Sequence, residues 1–251
     1  HILSSTIPNC VSYDPAYAYE LAIIVQDGFK RMYENMESVF YYITTMNENY
    51  QQPAMPTGVE EGIKRGMYLL EDGAAKEYKV AKSIDKKLRL RLLGGGTILR
   101  EVRRAARILR EEYSVAVDVW SVTSFNELRK DALAVARENM MHPDRQATVP
   151  YVTQQLKTKQ GPVIAATDYM KAYSDQIREF VPDSYRVLGT DGFGRSDSRK
   201  QLRHFFEVDS KFIVLAALTE LKARELIADT VIIDHMKITG IDSNKVYPLA
   251  Q

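Results

Sequence analysis

The chain has 251 residues, 45% hydrophobic and 27% charged, with a formal net charge of +1. That balance is ordinary for a soluble globular protein and gives no reason to expect nucleic acid or an anionic membrane as a partner. No apolar run reaches bilayer-spanning length, and Cys10, the single cysteine, excludes an internal disulfide and cysteine-rich metal sites; a reducing cytoplasm is the simplest home for it.

The sequence starts at His1 rather than methionine and runs straight into Ile2-Leu3-Ser4-Ser5-Thr6, so it reads as part of a longer chain. Asn9–Tyr13 is a short strand. Asp14 offers a helix N-cap and Pro15 a preset first helical residue. Tyr17, Leu21, Ile24 and Gly28 recur at helical spacing, which predicts a helix over 15–34. Val39–Thr45, β-branched and aromatic, is the next strand, completing one strand-helix-strand unit. Residues 46–58 are polar and proline-bearing, hence a loop. A helix is expected over 59–71, weakened by Gly62 and Gly66, and the charged, aperiodic stretch 72–87 reads as an interdomain linker.

A second series follows. Leu88, Leu90 and Leu92 alternate with Arg89 and Arg91, as in a half-exposed strand. Gly94-Gly95-Gly96-Thr97 turns into a helix over 98–112, Val115–Val122 is a strand, and Ser124 with Glu127 forms a capping box for a helix over 126–140. Val163–Thr167 is a strand, and Asp168 can cap a helix that Pro182 ends. Tyr185–Gly189 is a strand leading into the loop 190–196. Asp197 can cap a short helix carrying Leu202, Phe205 and Phe206. Ser210 opens a helix whose stretch 212–218 is buried, and a last helix lies near 230–238. Alternating strands and helices of this kind define an α/β fold, a mostly parallel sheet with helices on both faces.

Few residues suggest chemistry directly. The strand-GGG-helix turn at 94–96 has the look of a phosphate loop, but Leu99 stands where a dinucleotide motif needs glycine and no P-loop lysine follows; a tight turn packing helix on strand is the stronger reading. Arg100, Arg103, Arg104, Arg107 and Arg110 are interrupted by Glu101, Glu111 and Glu112 and read as a solvated helix face. His1, His142, His204 and His235 show no metal-ligand spacing, and Ser124 and Ser196 lack a nucleophile-elbow context. The most distinctive segment is Asp191-Gly192-Phe193-Gly194-Arg195-Ser196-Asp197. Its glycines permit an unusual backbone path, and Phe193 and Arg195 supply an anchor and a charge of the sort interfaces use. Asp191, Phe193, Arg195 and Asp197, with His204 on the following helix, are therefore candidates for an interface or a site rim, against a plain strand-to-helix turn.

At this loop a family resemblance becomes informative. TDGFGRSDSR, residues 190–199, resembles the signature in the C-terminal domain of homodimeric-type pyruvate dehydrogenase decarboxylating components. So do IPNCVSYDPAYAYE at 7–20, YYITTMNENY at 41–50, DVWSVTSF at 118–125 and ATDY at 166–169, in the family's order. Two departures accompany them: the connection 72–91 is longer than usual, and Gly94-Gly95-Gly96 replaces a Gly-Ser-Gly turn.

The resemblance implies a transketolase-like enzyme. Residues 1–71 would be the tail of its pyrimidine-binding middle domain, 72–87 a linker, and 88–251 the transketolase C-terminal-like domain. The intact enzyme would be a cytoplasmic homodimer that decarboxylates pyruvate on thiamine diphosphate with magnesium. It would pass the acetyl unit to lipoyl groups of an acyltransferase partner. The family's diphosphate-magnesium motif, a Gly-Asp-Gly leading to paired asparagines, is absent from this sequence, and a pocket histidine and glutamate would precede His1. No catalytic, cofactor-binding or metal residue is therefore carried onto these positions, and this stretch alone is expected to bind no cofactor, to be inactive and to support the dimer. The alternatives are a stand-alone transketolase-C-like dimerisation module and the same portion of a decarboxylase for another 2-oxo acid.

Overall fold

The computed structural model describes residues 1–73 and 88–250, so the linker expected at 72–87 lies, from residue 74 onward, outside the described residues. The first unit is β1 (Cys10–Tyr13), α1 (Ala18–Phe29) and β2 (Phe40–Ile43), with the two strands parallel and Cys10 opposite Phe40. Helix α1 runs on into a π-helical turn, Lys30–Glu34. A short helix α2 (Glu60–Arg65) closes the unit, whose core gathers Val11, Tyr13, Ile24, Ile63 and Tyr68. The outer strand β2 leaves Phe40 and Tyr42 each 45% exposed.

The second unit is a five-stranded sheet in the order β3-β5-β4-β6-β7, formed by β3 (Met67–Glu71), β4 (Arg89–Gly94), β5 (Ala116–Val122), β6 (Val163–Ala166) and β7 (Tyr185–Leu188). Strand β3 is antiparallel to β5, and the other pairs are parallel. Side chains alternate across it as strand geometry requires. Leu90, Leu92, Val117 and Val119 face one core with α3 (Ile98–Tyr113) and α8 (Ser210–Lys222). Leu93, Trp120 and Val122 face the other with α4 (Phe125–Met141) and α5 (Tyr151–Lys157). Among the described residues the remaining α-helices are α6 (Lys171–Asp175), α7 (Arg199–Phe205) and α9 (Asp229–Thr239).

Several local readings change. The helix expected over 59–71 stops at Arg65, because Gly66 takes φ 104°, and a Cβ there would approach the Ser124 carbonyl at 2.5 Å. The chain then reverses into β3, an edge strand of the second sheet. Helix α1 begins at Ala18, not at residue 15, and its N-cap is Tyr17, not Asp14. Its orphan N-terminal amides are met by Glu20, which accepts from Ala16 N and Tyr17 N at 2.5 and 3.0 Å. Ser124 Oγ accepts from Glu127 N as expected, but the Glu127 carboxylate turns to Lys130 at 2.9 Å. Neither Asp168 nor Asp197 is the residue immediately before a helix; Met170 precedes α6, and Ser198 caps α7.

The arginine readings change most. Strand β4 is central and covered on both faces, so Arg91 is 1% exposed instead of half-exposed. Its guanidinium donates to the Leu156 and Lys159 carbonyls at the end of α5 and to Asp183 at 3.0 Å, an arrangement that suits the negative end of a helix. On α3, Arg110 is buried and bonds Glu71 at 2.6 Å, while Arg103 bonds the other Glu71 oxygen at 2.6 Å and the Tyr17 hydroxyl at 3.0 Å. Arg110 and Arg103 thus fasten β3 to α3 within the second unit, and Arg103 also holds α1 there, while Arg104 and Arg107 keep to the solvated face expected of the series. Glu71→Ala would leave Arg110 buried without this carboxylate. We expect a loss of about 3–5 kcal/mol in urea unfolding, against no more than about 0.5 kcal/mol for exposed Arg107→Ala. Equal small effects would contradict a buried pair.

Candidate functional site

Open α/β sheets bind ligands off the carboxyl ends of their strands, where the chain runs in opposite directions from two neighbouring strands. Here that point lies between β4 and β6, flanked by the turn after β4 and the segment Thr167–Met170 after β6. The first unit enters this crevice. Asp14, at the end of β1, is 3% exposed; its backbone carbonyl accepts from Gly96 N at 3.1 Å, and its own amide donates to the Thr123 carbonyl at 2.7 Å. A Cβ on Gly96, which takes φ 49°, would meet the Asp14 carboxylate at 2.6 Å. The triple-glycine turn therefore packs against a carboxylate, which is the tight-turn reading and leaves no place there for an anion.

Around Asp14 a polar and aromatic cluster converges. Thr44, one residue past β2, donates to Asp14 Oδ1 at 2.7 Å, and the Tyr169 hydroxyl reaches the same oxygen at 3.4 Å. His1 Nε2 lies 3.0 Å from Thr44 Oγ1, so imidazole, hydroxyl and carboxylate form a continuous hydrogen-bonded chain. The His1 ring stacks on Tyr173 with centroids 4.8 Å apart and meets Tyr169 edge-on at 4.8 Å. Burial pushes the Asp14 carboxyl up to about 7, the loss of hydration outweighing the hydrogen bond from Thr44. Such a carboxyl can hold or release a proton near neutrality. Asp168 is raised in the same direction by burial, against the pull of Arg203.

Two further carboxylates tie the units together. Glu20 is fully buried and accepts, besides its two amides, the Tyr68 hydroxyl at 2.7 Å and the Ser121 hydroxyl at 2.6 Å. Glu48 accepts from Arg203 at 2.5 Å and from Arg100 at 2.7 Å. Sequence reasoning missed Asp14, Glu20, Thr44 and Glu48 as site residues. Asp14 carried a misleading signal, since Asp-Pro reads as a helix start.

The loop 190–197 lies beside the crevice. Asp191 Oδ1 accepts from Lys171 N at 2.8 Å, serving the N-terminus of α6 from twenty residues away. Phe193 is 81% exposed. The Arg195 guanidinium sits 4.3 Å over the Phe205 ring. Asp197 accepts from Ser198 N at 2.6 Å, and His204 Nδ1 pairs with Asp209 at 3.0 Å. Of the five sequence candidates, only Arg195 lines a pocket with Asp168 and Arg203.

Comparison with proteins of known kind places the chain in a family. Residues 66–209 match the transketolase-like TK C-terminal domain, and the chain belongs to this transketolase-like family. Residues 1–53 match the pyruvate dehydrogenase E1 component middle domain. Over 250 residues the chain is 55% identical to the pyruvate dehydrogenase E1 component of Pseudomonas aeruginosa and 54% identical to that of Escherichia coli K12, in each case covering 99% of this chain and 27% of the relative. The chain thus spans about a quarter of these relatives' length. Among solved structures, a Pichia stipitis transketolase mutant bound to fructose 6-phosphate superposes with a TM-score of 0.59 at 14% identity, over 91% of this chain and 28% of that one. A Campylobacter jejuni transketolase gives 0.53 at 20% identity, over 87% and 27%. Both likenesses establish the fold, the mostly parallel sheet expected from the sequence.

The raised Asp14 carboxyl has a testable sign. A group protonated more readily in the folded chain contributes full stability below its unfolded value of about 3.8, and that contribution is lost as pH rises through about 7. Asp14→Asn, which keeps the shape without the charge, is expected to be more stable than the parent near pH 8, by up to about 4 kcal/mol. The difference should shrink below about pH 4. Urea unfolding across this range reads it, and a parent more stable than the variant at the alkaline end would refute it.

Proposed function

We propose that the intact protein is the pyruvate-decarboxylating component of a pyruvate dehydrogenase complex. The observation that carries this reading is identity of 54–55% to two pyruvate dehydrogenase E1 components across 99% of the chain. The matches to the middle domain and then the C-terminal domain, in that order, support it. On this reading residues 1–65 end the pyrimidine-binding domain, and the C-terminal domain begins at Gly66, where the chain enters β3.

Thiamine diphosphate, when bound by the intact enzyme, supplies the carbanion chemistry by which pyruvate loses carbon dioxide. The described residues do not fit its metal. They contain no group of three His, Cys, Asp or Glu side chains able to hold an ion, and the Gly-Asp-Gly motif is missing from the sequence. The cofactor and its magnesium are accordingly assigned to other parts of the enzyme. The residues of this chain build and brace: Glu20, Glu48 and Asp14 hold the end of the middle domain against the C-terminal domain. The partners on this reading are a second copy of the enzyme and the lipoyl acyltransferase, and the setting is cytoplasmic.

Two assays test the reading. The 251-residue chain with pyruvate, thiamine diphosphate, magnesium and an artificial electron acceptor is expected to show no turnover above a blank. The intact protein is expected to decarboxylate pyruvate and acetylate lipoyl groups, with pyruvate preferred over longer 2-oxo acids. Turnover by the 251-residue chain would overturn its assignment as a bracing portion. Preference of the intact protein for another 2-oxo acid would overturn the substrate.

A further inference from the structure

Four carboxyls hold the seam between the two units, and they are not equally provided for. Glu48 and Glu71 each meet guanidinium groups, and buried Glu20 accepts from two amides and two hydroxyls. Asp14 is the exception. Its side-chain hydrogen bonds come from the Thr44 hydroxyl at 2.7 Å and the Tyr169 hydroxyl at 3.4 Å, both to Oδ1, and among the described residues no lysine or arginine pairs with it. An ionised carboxylate offers about four acceptor sites, so in this buried setting the charged form is poorly served.

The neutral form is well served by the same atoms. A carboxyl proton on Oδ1 can be donated to Thr44 Oγ1, whose own proton then turns to the Tyr13 carbonyl at 3.3 Å. The other groups facing the carboxyl do not reverse this preference. Asp168, just past β6, and Glu20 on α1 repel a negative charge there, and the glycine turn presents backbone alone. Tyr173 on α6 is stacked on the His1 ring, and His1, reached through the Thr44 hydroxyl at 3.0 Å, is the group on this side able to carry positive charge. The contact itself is close. The Gly96 amide donates to the Asp14 carbonyl at 3.1 Å, and a Cβ at Gly96 would meet the carboxylate at 2.6 Å. Charge placed at this contact is charge placed between the two units.

We infer that the contact between Asp14 and the glycine turn is a proton-operated latch, which holds the first unit over the β4–β6 crevice while the carboxyl is neutral and loosens when the carboxyl ionises. Burial holds the Asp14 proton up to about 7, against 3.8 for the same group in water. The hold is therefore at full strength below about 3.8, and its proton-dependent part is lost as pH rises through about 7. Between those limits each opening releases one proton, so the opening equilibrium grows by up to about a thousandfold. What the latch releases is access to the carboxyl ends of β4 and β6, the place where open sheets of this kind bind ligands and which the Asp14 cluster otherwise fills.

Hydrogen exchange, read by mass spectrometry on the peptides that carry Asp14 and Gly96, tests this, each rate being divided by that of the unprotected peptide at the same pH. The corrected opening is expected to rise about tenfold per pH unit from about pH 5 to about pH 7 and to level off by about pH 8. Peptides from β5, at Val119 and Trp120, should stay at least about tenfold more protected throughout, because the latch opens without unfolding the sheet. Asp14→Asn, neutral and of the same shape, should remove the slope. Asp168→Asn, which relieves repulsion, should keep the slope and move its upper bend to lower pH. A flat profile in the parent overturns the proposal. So does a slope that survives Asp14→Asn, since another group would then be titrating. Equal protection at Gly96 and Trp120 overturns it as well, the whole chain then opening at once. Should Asp14→Asn fail to fold, the Asp168→Asn bend decides: if unmoved, it removes Asp14 from the titration.

Discussion

The carboxylate of Glu20 is the joint on which the arrangement turns. It leaves water completely, and the cost of burying an ion is several kcal/mol unless hydrogen bonds replace hydration. Four donors do so: two amides at the start of α1, a tyrosine hydroxyl from β3 and a serine hydroxyl from β5. An apolar contact in the same place would tolerate sliding. A carboxylate with four directional partners does not, so one side chain caps a helix, docks that helix on a sheet and fixes the relative setting of two units.

The same logic repeats along the seam. Glu71 is shared by Arg103 and Arg110, and Glu48 by Arg100 and Arg203. In each case a carboxylate from the chain before β4 meets guanidinium groups from α3 or α7. The effect on the sheet is to close half of its crevice. The carboxyl ends of β4 and β6 mark the place where a nucleotide commonly sits in such folds. Here Asp14 and Thr44 enter instead, and the glycine turn that could have cradled phosphate is pressed against a carboxylate. Closing that half leaves the α7 side as the open part, lined by arginines.

The strand-helix series was legible because hydrophobic period is a local signal. β1, β5, β6 and β7, together with α3, α4 and α8, fall within a few residues of their expected places. The family was legible from ordered motifs. What could not be read was anything decided by distant partners. Arg91 and Arg110 carry the same local pattern as solvated arginines, and only the stacking of α5 and β3 makes them buried. Helix α5 itself was passed over, seven residues after a proline with little amphipathic length. The reversal at Gly66 looked like a weak point in a helix, since nothing nearby announced that β3 would find an edge beside β5. Asp14 and Glu20 were opposite errors: the aspartate resembled a cap and is not one, while the glutamate three residues into the helix is the cap.

Order of synthesis gives the seam another meaning. Tyr68 lies 48 residues after Glu20, and Ser121 lies 101 residues after it. A ribosome adding roughly 5–20 residues per second therefore presents α1 several seconds before the last donor to its buried carboxylate exists. Through that interval Glu20 is best left hydrated and α1 undocked. The polar joint thus also acts as a timer: the first unit locks down only after the sheet that receives it has been made.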